Sequence, residues 1–365
     1  MLQLVPVLYT GGLEHVATRL TLDLSGRVGA VAMCTHGGDP FEPVLRSAGI
    51  EIVGIARPKT SRPVDMLRAT TTVARTLRSF APHVVHAHNP TAGIVATSAR
   101  RLAGRGRIAI VTTYHGVTPH RVGRAVRALS RASDVVVGVG PASTRALVAA
   151  GLDPAHARTI FNAVEPSDVD ASATAAVRSE LAGDGELVVT VGRYVPEKDH
   201  ALLLDAVALL APRRPRLRVA IVGVGPLEAD LRARTRALAL DAVVTITGER
   251  RDAATITAAA DAFVLSSSSE GLPIALLEAM AASVPVVTTA VGGVGDAVRD
   301  GETGLLVRHG DAAALAAAIE SVLDDRALAS RLAANARVFV AADCSPQAML
   351  QHYLDVYLDV VDGRA

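Results

Sequence analysis

Short apolar runs alternate with stretches of helical spacing along the whole chain. Apolar runs at residues 2–8, 28–33, 50–55, 83–88, 108–112 and 135–139 predict strands, and a longer strand is expected over 152–162. Between them, Val16, Ala17, Leu20 and Leu24 mark one helix, and Leu67, Thr71, Ala74 and Leu77 another over 65–80. Further helices are expected at 43–48, 92–102 and 121–130. The pattern then restarts, with strands at 187–191, 218–222, 242–247, 263–265 and 284–287. Helices are expected there at 200–210, 274–282, 311–339 and 349–361, and strand segments at 292–294 and 301–307. Such alternation predicts α/β architecture with doubly wound parallel sheets.

A length of 365 residues suggests two domains, and half the residues are hydrophobic, enough for two cores. The polar stretch 165–176 separates the two patterns. We place the linker near 163–170, giving domains 1–162 and 163–344 and a terminal helix in 345–365. No run approaches the ~18 apolar residues of a membrane span. The start reads as lacking a signal peptide, so the cytosol is the expected compartment, with peripheral contact at the inner face of a membrane as a second expectation. Cys34 and Cys344 suggest neither a disulfide framework nor a metal site. Trp is absent and aromatic residues make up 3%, which argues against nucleic-acid stacking platforms.

Charge is uneven. The net value of +1 divides into +11 for residues 1–162, −8 for 163–344 and −2 for the tail. A basic half can attract an anionic partner. Its cations fall in two runs, Arg57, Lys59 and Arg62, then His120, Arg121, Arg124 and Arg127, with Arg131 on the same helix face.

Candidate chemistry concentrates in FVLSSSSEGLPIALLEAMAASVPVV, residues 263–287. A buried strand runs into a Ser/Gly loop, Pro273 sits where a helix can begin, and an apolar helix follows. Glu270 lies in the loop and Glu278 about one turn into the helix. A charge in so apolar a helix needs a partner, and a helix start can hold an anion or sugar hydroxyls. The stretch resembles the donor-site signature of retaining glycosyltransferases of the GT-B fold, particularly glycosyltransferase family 4.

Other segments resemble the same family. GGLEHVATRL is similar to its first loop, which implies that Gly12, with Gly11 beside it, offers a backbone N–H to the donor diphosphate; Glu14 and His15 follow. GRYVPEKDH resembles its diphosphate clamp, implying that role for Arg193 and Lys198. TYHG is similar to the segment where a histidine touches the donor sugar, which points to His115, and HAHN to a loop at the interdomain cleft, which points to His88. His86 and His88 are expected on opposite faces of their strand, His86 as a satisfied core side chain. No further ligand is spaced for zinc. Gly223 and Gly225 resemble a turn beside the nucleotide, and residues 248–250 a segment lying against the base.

The resemblance implies two Rossmann-like domains facing across a cleft, with the terminal helix packing on the first. Glu278 would accept the ribose hydroxyls. Glu270 and the start of the next helix, at Gly271, Leu272 and Ile274, would fix the sugar. The expected activity is transfer from a nucleotide-diphosphate sugar, UDP first, to a hydroxyl acceptor with retention and without a metal or other cofactor. The acceptor expectations are a phosphorylated polyol, an anionic lipid head group or a natural-product aglycone. A GT-B-fold sugar-nucleotide epimerase and a non-catalytic nucleotide-sugar-binding scaffold are the alternatives.

Overall fold

The computed structural model describes residues 1–6, 12–37, 41–116, 122–165 and 169–363. The chain divides into two compact units. One comprises Met1–Ala163 and Pro346–Ala365, the other Val164–Ser345.

The first unit holds a seven-stranded sheet: β1 (Leu2–Leu4), β2 (Ala32–Thr35), β3 (Glu51–Gly54), β4 (Val84–Ala87), β5 (Ala109–Tyr114), β6 (Val135–Gly138) and β7 (Ala157–Thr159). Their order is β3-β2-β1-β4-β5-β6-β7, with every pair parallel. The second unit holds β8 (Glu186–Val191), β9 (Leu217–Val222), β10 (Val244–Gly248), β11 (Ala262–Leu265), β12 (Val286–Thr289) and β13 (Leu305–Val307). Their order is β10-β9-β8-β11-β12-β13, again parallel throughout. In each sheet the chain reverses its direction of travel once, at β1/β4 and at β8/β11. Ligands of open α/β sheets sit beyond the carboxyl ends of strands at such points.

The second core forms because the helix His200–Leu210 puts Leu203, Leu204, Val207 and Leu210 against Val219, Ile221 and Val264 of the sheet. In the first unit the terminal helix Pro346–Val361 buries Met349, Tyr353, Val356 and Tyr357, a single stripe at helical spacing. Its tyrosines are tied into the sheet. Tyr353 Oη lies 2.8 Å from Thr113 Oγ1, and Tyr357 Oη 2.8 Å from His86 Nδ1. Nε2 of His86 completes the set, 2.7 Å from Thr113 Oγ1.

Several sequence expectations need correction. His86 and His88 share one face, with ring centroids 4.1 Å apart, because side chains two positions apart in a strand point the same way. The strand expected at 28–33 is β2, starting at Ala32. Its register is fixed by pairing with β1, Leu2 opposite Ala32. The long strand over 152–162 is a 3-10 turn, Pro154–His156, and then short β7. Pro154 lacks a ladder donor, and Asp153 Oδ1 accepts from Ala155 N at 2.9 Å. Part of the polar stretch is a helix, Ala171–Leu181, capped by Asp170 on Ala173 N. Helices Pro141–Ala149 and Glu228–Ala237 carry too little apolar periodicity to have been read. Residues 292–294 are a turn entering the short helix Val294–Ala297, since Gly292 has φ of +50°. The helix expected over 311–339 is two, Ala312–Asp324 and Arg326–Asp343. Asp325 leaves helical geometry and caps the second through Leu328 N at 2.9 Å. The strand expected at 2–8 is described only at its start, and Val7 and Leu8 lie outside the described residues. Among the described residues no helix is long and apolar enough to cross a membrane.

Candidate active site

In the second unit the segments following β8 and β11 meet. The loop after β8 carries Arg193 and ends in a 3-10 turn, Pro196–Lys198. The loop after β11 carries Ser266, Ser267 and Glu270. Neighbouring parallel strands deliver both loops to the same sheet edge, so residues 72 positions apart touch: Lys198 Nζ lies 2.5 Å from Glu270 Oε1. Ser267 Oγ donates to that same oxygen at 2.6 Å. Both charges are largely buried, their side chains 18% and 10% exposed. The loops are also stitched through backbone. Ser268 N donates to Glu197 O at 2.8 Å, and Ser266 Oγ to Asp199 O at 2.8 Å.

Four glycines permit this close packing. A Cβ on Gly292 would stand 1.9 Å from Glu270 O, and one on Gly293 1.9 Å from Gly271 O. Gly223, at φ +146°, lets the loop after β9 press on Gly192 O. With Gly225, whose Cβ would meet Tyr194 O at 2.4 Å, it supports the loop that carries Arg193. The sequence singled out both for a nucleotide; the contacts present are with this loop.

Arg193 is exposed, and among the described residues no carboxylate pairs with it. Its carbonyl faces His200 Nε2 at 3.3 Å. Burial lowers the His200 pKa to about 4, so the ring is neutral and donates this bond.

The helix Ile274–Ala281 begins after Pro273, and among the described residues no side chain caps its start. Gly271 and Ile274 are half-buried and Leu272 is buried beside it. Glu278 is half-buried among Leu276, Leu277, Ala279 and Met280, which are fully buried. Among the described residues no hydrogen bond or ion pair reaches its carboxylate. Burial raises its pKa to about 7. A carboxylate kept without a partner in apolar surroundings is costly, unless a ligand supplies donors.

The first unit holds a histidine cluster at its own switch point. His88 Nε2 lies 2.7 Å from Gln3 Oε1 on β1. His115 follows β5, and its ring stacks on His88 at 6.1 Å between centroids. Among the described residues, Nδ1 of His88 and Nε2 of His115 are buried without a partner. Burial lowers the His115 pKa to about 4 and that of His88 well below the usual value, so both rings are neutral. Gly12 is the exposed first residue of the helix Gly12–Ser25, and Gly11 lies outside the described residues.

Arg124, Arg127 and Arg131 are exposed on the helix Val122–Ala132, opposite buried Ala125, Val126, Leu129 and Ala132. None has a carboxylate partner among the described residues. His120 and Arg121 lie outside the described residues, and in the other basic run Arg62 reaches Asp65 at 3.9 Å.

Comparison with known proteins decides the family. Residues 173–339 match the model of glycosyl transferases group 1, and residues 10–168 that of glycosyltransferase family 4. A D-inositol 3-phosphate glycosyltransferase of Frankia alni is 32% identical over 307 residues, covering 72% of this chain and 72% of that protein. The chain belongs to the group 1, family 4 glycosyltransferases. A family relative from Arabidopsis thaliana, a sulfoquinovosyl transferase, is 28% identical over 322 residues, covering 81% of this chain; the match spans only 60% of that protein's length. The GT-B fold of this family member is shared with Anabaena HepE, solved in complex with UDP and glucose. The TM-score is 0.87 at 21% identity, over 98% of this chain and 99% of that one.

Ser267, Asp199, His200 and His309 join the site without a sequence signal of their own. Asp199 and His309 meet because the sheet brings the loops after β8 and β13 together, whereas Ser267 and His200 bond partners a few residues away in sequence.

Proposed function

We propose that this protein is a retaining glycosyltransferase that uses a UDP-sugar without a metal ion. The observation that carries the reading is the site after β8 and β11: the Lys198–Glu270 pair, with exposed Arg193 on the same loop as Lys198 and Glu278 half-buried, neither of these two meeting a charged partner among the described residues. Arg193 grips diphosphate oxygens and Lys198 adds a point charge. Ionised Glu278 accepts both ribose hydroxyls. Glu270 and the uncapped start of the helix Ile274–Ala281 hold sugar hydroxyls. His115, neutral and with a ring nitrogen that has no partner among the described residues, bonds a sugar hydroxyl.

In the reaction, the bond between the anomeric carbon and the diphosphate oxygen breaks, and its electron pair leaves with UDP. The acceptor oxygen forms the new bond on the face that UDP leaves, and its proton passes to a departing phosphate oxygen. The two cations stabilise the leaving charge as it grows, so side chains supply what a metal would. UDP as the nucleotide draws support from the HepE complex with UDP and glucose.

For the acceptor we favour a phosphate-bearing molecule. The exposed arginine stripe, without a carboxylate partner among the described residues, supports this, as does a relative named for D-inositol 3-phosphate. The protein works at a cytoplasmic location in this reading. A hydrolysis screen across UDP-, GDP- and ADP-sugars tests the donor, with slow release of UDP from one UDP-sugar as the expected result. Turnover of no UDP-sugar, alongside hydrolysis of another nucleotide sugar, overturns the UDP assignment.

A further inference from the structure

Asp199 follows Lys198 directly and adopts a left-handed backbone, φ 40° and ψ 52°. A residue with a Cβ resists this conformation, aspartate less than most. It persists only where surrounding contacts hold it. Three contacts do so here. Ser266 Oγ donates to Asp199 O at 2.8 Å. Asp199 Oδ1 accepts from Leu202 N at 3.3 Å, a long cap. Asp199 Oδ2 lies 2.8 Å from His309 Nε2, on the loop after β13, 110 residues away. This last bond is shorter than the cap and is the one that ties the turn to a separate strand end.

The turn sets the course of Lys198. Its backbone N–H donates to Val195 O at 3.1 Å, and its aliphatic chain lies over Gly192, where an added Cβ would meet Lys198 Cδ at 3.5 Å. From there Nζ reaches Glu270. If Asp199 relaxed to an ordinary φ, the peptide carrying Lys198 O would rotate and the ammonium would leave Glu270.

We propose that His309 and Asp199 form a positioning pair that holds the turn after Lys198 in its left-handed form and thereby keeps Lys198 set to grip a diphosphate. The pair acts through Lys198. The inference rests on the donor reading given above for Lys198.

A double-mutant cycle on the full chain tests it, with UDP binding by calorimetry as the probe and thermal melting recorded for each variant. His309→Ala is expected to weaken UDP binding about tenfold in the Asp199 protein and less than about twofold in Asp199→Gly, because glycine holds the left-handed turn unaided. His309→Gln, whose side-chain N–H can still donate to Asp199, should recover most of the loss. A merely structural role would lower the melting temperature of His309→Ala in the Asp199 protein while leaving its UDP affinity unchanged. Lys198→Ala is the control for the donor reading. If Lys198→Ala binds UDP as tightly as the unmodified protein, that reading fails and takes this one with it. If Lys198→Ala loses affinity while His309→Ala does not, the positioning pair alone is wrong. An equal His309→Ala loss in both backgrounds also overturns it.

Discussion

Lys198 Nζ and Glu270 Oε1 lie 2.5 Å apart at the edge where β8 and β11 end side by side. Their pairing fixes a cation where the two loops meet, while Arg193 stays exposed, with no carboxylate partner among the described residues. The two cations should therefore respond differently to removal. Lys198→Ala leaves a largely buried carboxylate with Ser267 as its remaining partner, which costs about 1–3 kcal/mol of stability. Arg193→Ala should leave the melting temperature unchanged. Both should lower turnover more than donor affinity, because leaving-group charge is greatest in the transition state. Near-normal turnover by both variants would sink the clamp.

Glu278 makes nucleotide binding proton-linked. Its pKa in the folded, unliganded protein is raised to about 7 from the usual 4.5, by burial. A raised carboxyl pKa contributes stability that is complete below pH 4.5 and lost as pH rises through about 7. Glu278→Gln should thus gain stability relative to the parent above pH 7. If ribose hydroxyls bond the carboxylate, UDP binding near pH 6.5 should release a proton and tighten with rising pH. Calorimetry in buffers of different ionisation enthalpy measures this. Glu278→Gln should show no release, and a release of the same size in both proteins would disprove the ribose role.

Gly292→Ala probes how tightly the Glu270 loop is packed. The new Cβ would stand 1.9 Å from Glu270 O, at a φ of +50°. Overpacking of this kind costs about 1–3 kcal/mol, and the loop would shift with Glu270 on it. Melting temperature and UDP affinity should fall together. Gly295→Ala, with nothing within 4 Å of its Cβ, is the neutral comparison.

Tyr357→Phe should destabilise the first unit more than Tyr353→Phe. The first leaves His86 Nδ1 buried without a partner, at a cost of about 1–3 kcal/mol. The second leaves Thr113 Oγ1 still bonded to His86 Nε2. Chemical denaturation of the two variants ranks them, and the reverse order would show that Thr113 is the more dependent group.

The stripe of Arg124, Arg127 and Arg131 should make acceptor use sensitive to salt. Their joint replacement by Ala is expected to raise KM for a phosphorylated polyol, or to abolish sedimentation with anionic vesicles, without changing UDP affinity. The two assays separate a soluble phosphate from a lipid head group. Salt-insensitive turnover of a neutral acceptor with no vesicle binding would remove the anionic reading.

The sequence by itself determined the strand and helix alternation, because parallel strands buried on both faces are written as continuous apolar runs. It also singled out Glu278, a charge in an apolar helix, and, through the family resemblance, Arg193, Lys198 and Glu270. It did not determine that Asp325 splits a long helix, that Asp170 starts one inside a polar stretch, or that residues 292–294 turn into a helix. Those outcomes depend on capping bonds and backbone angles, which composition does not encode. Nor could it join His309 to Asp199, Lys198 to Glu270, or Tyr357 to His86. Each of those pairs exists because strand order brings distant loops to one sheet edge, or a terminal helix onto one sheet face. A side chain's partner is then set by topology, where its own residue type is set by the sequence.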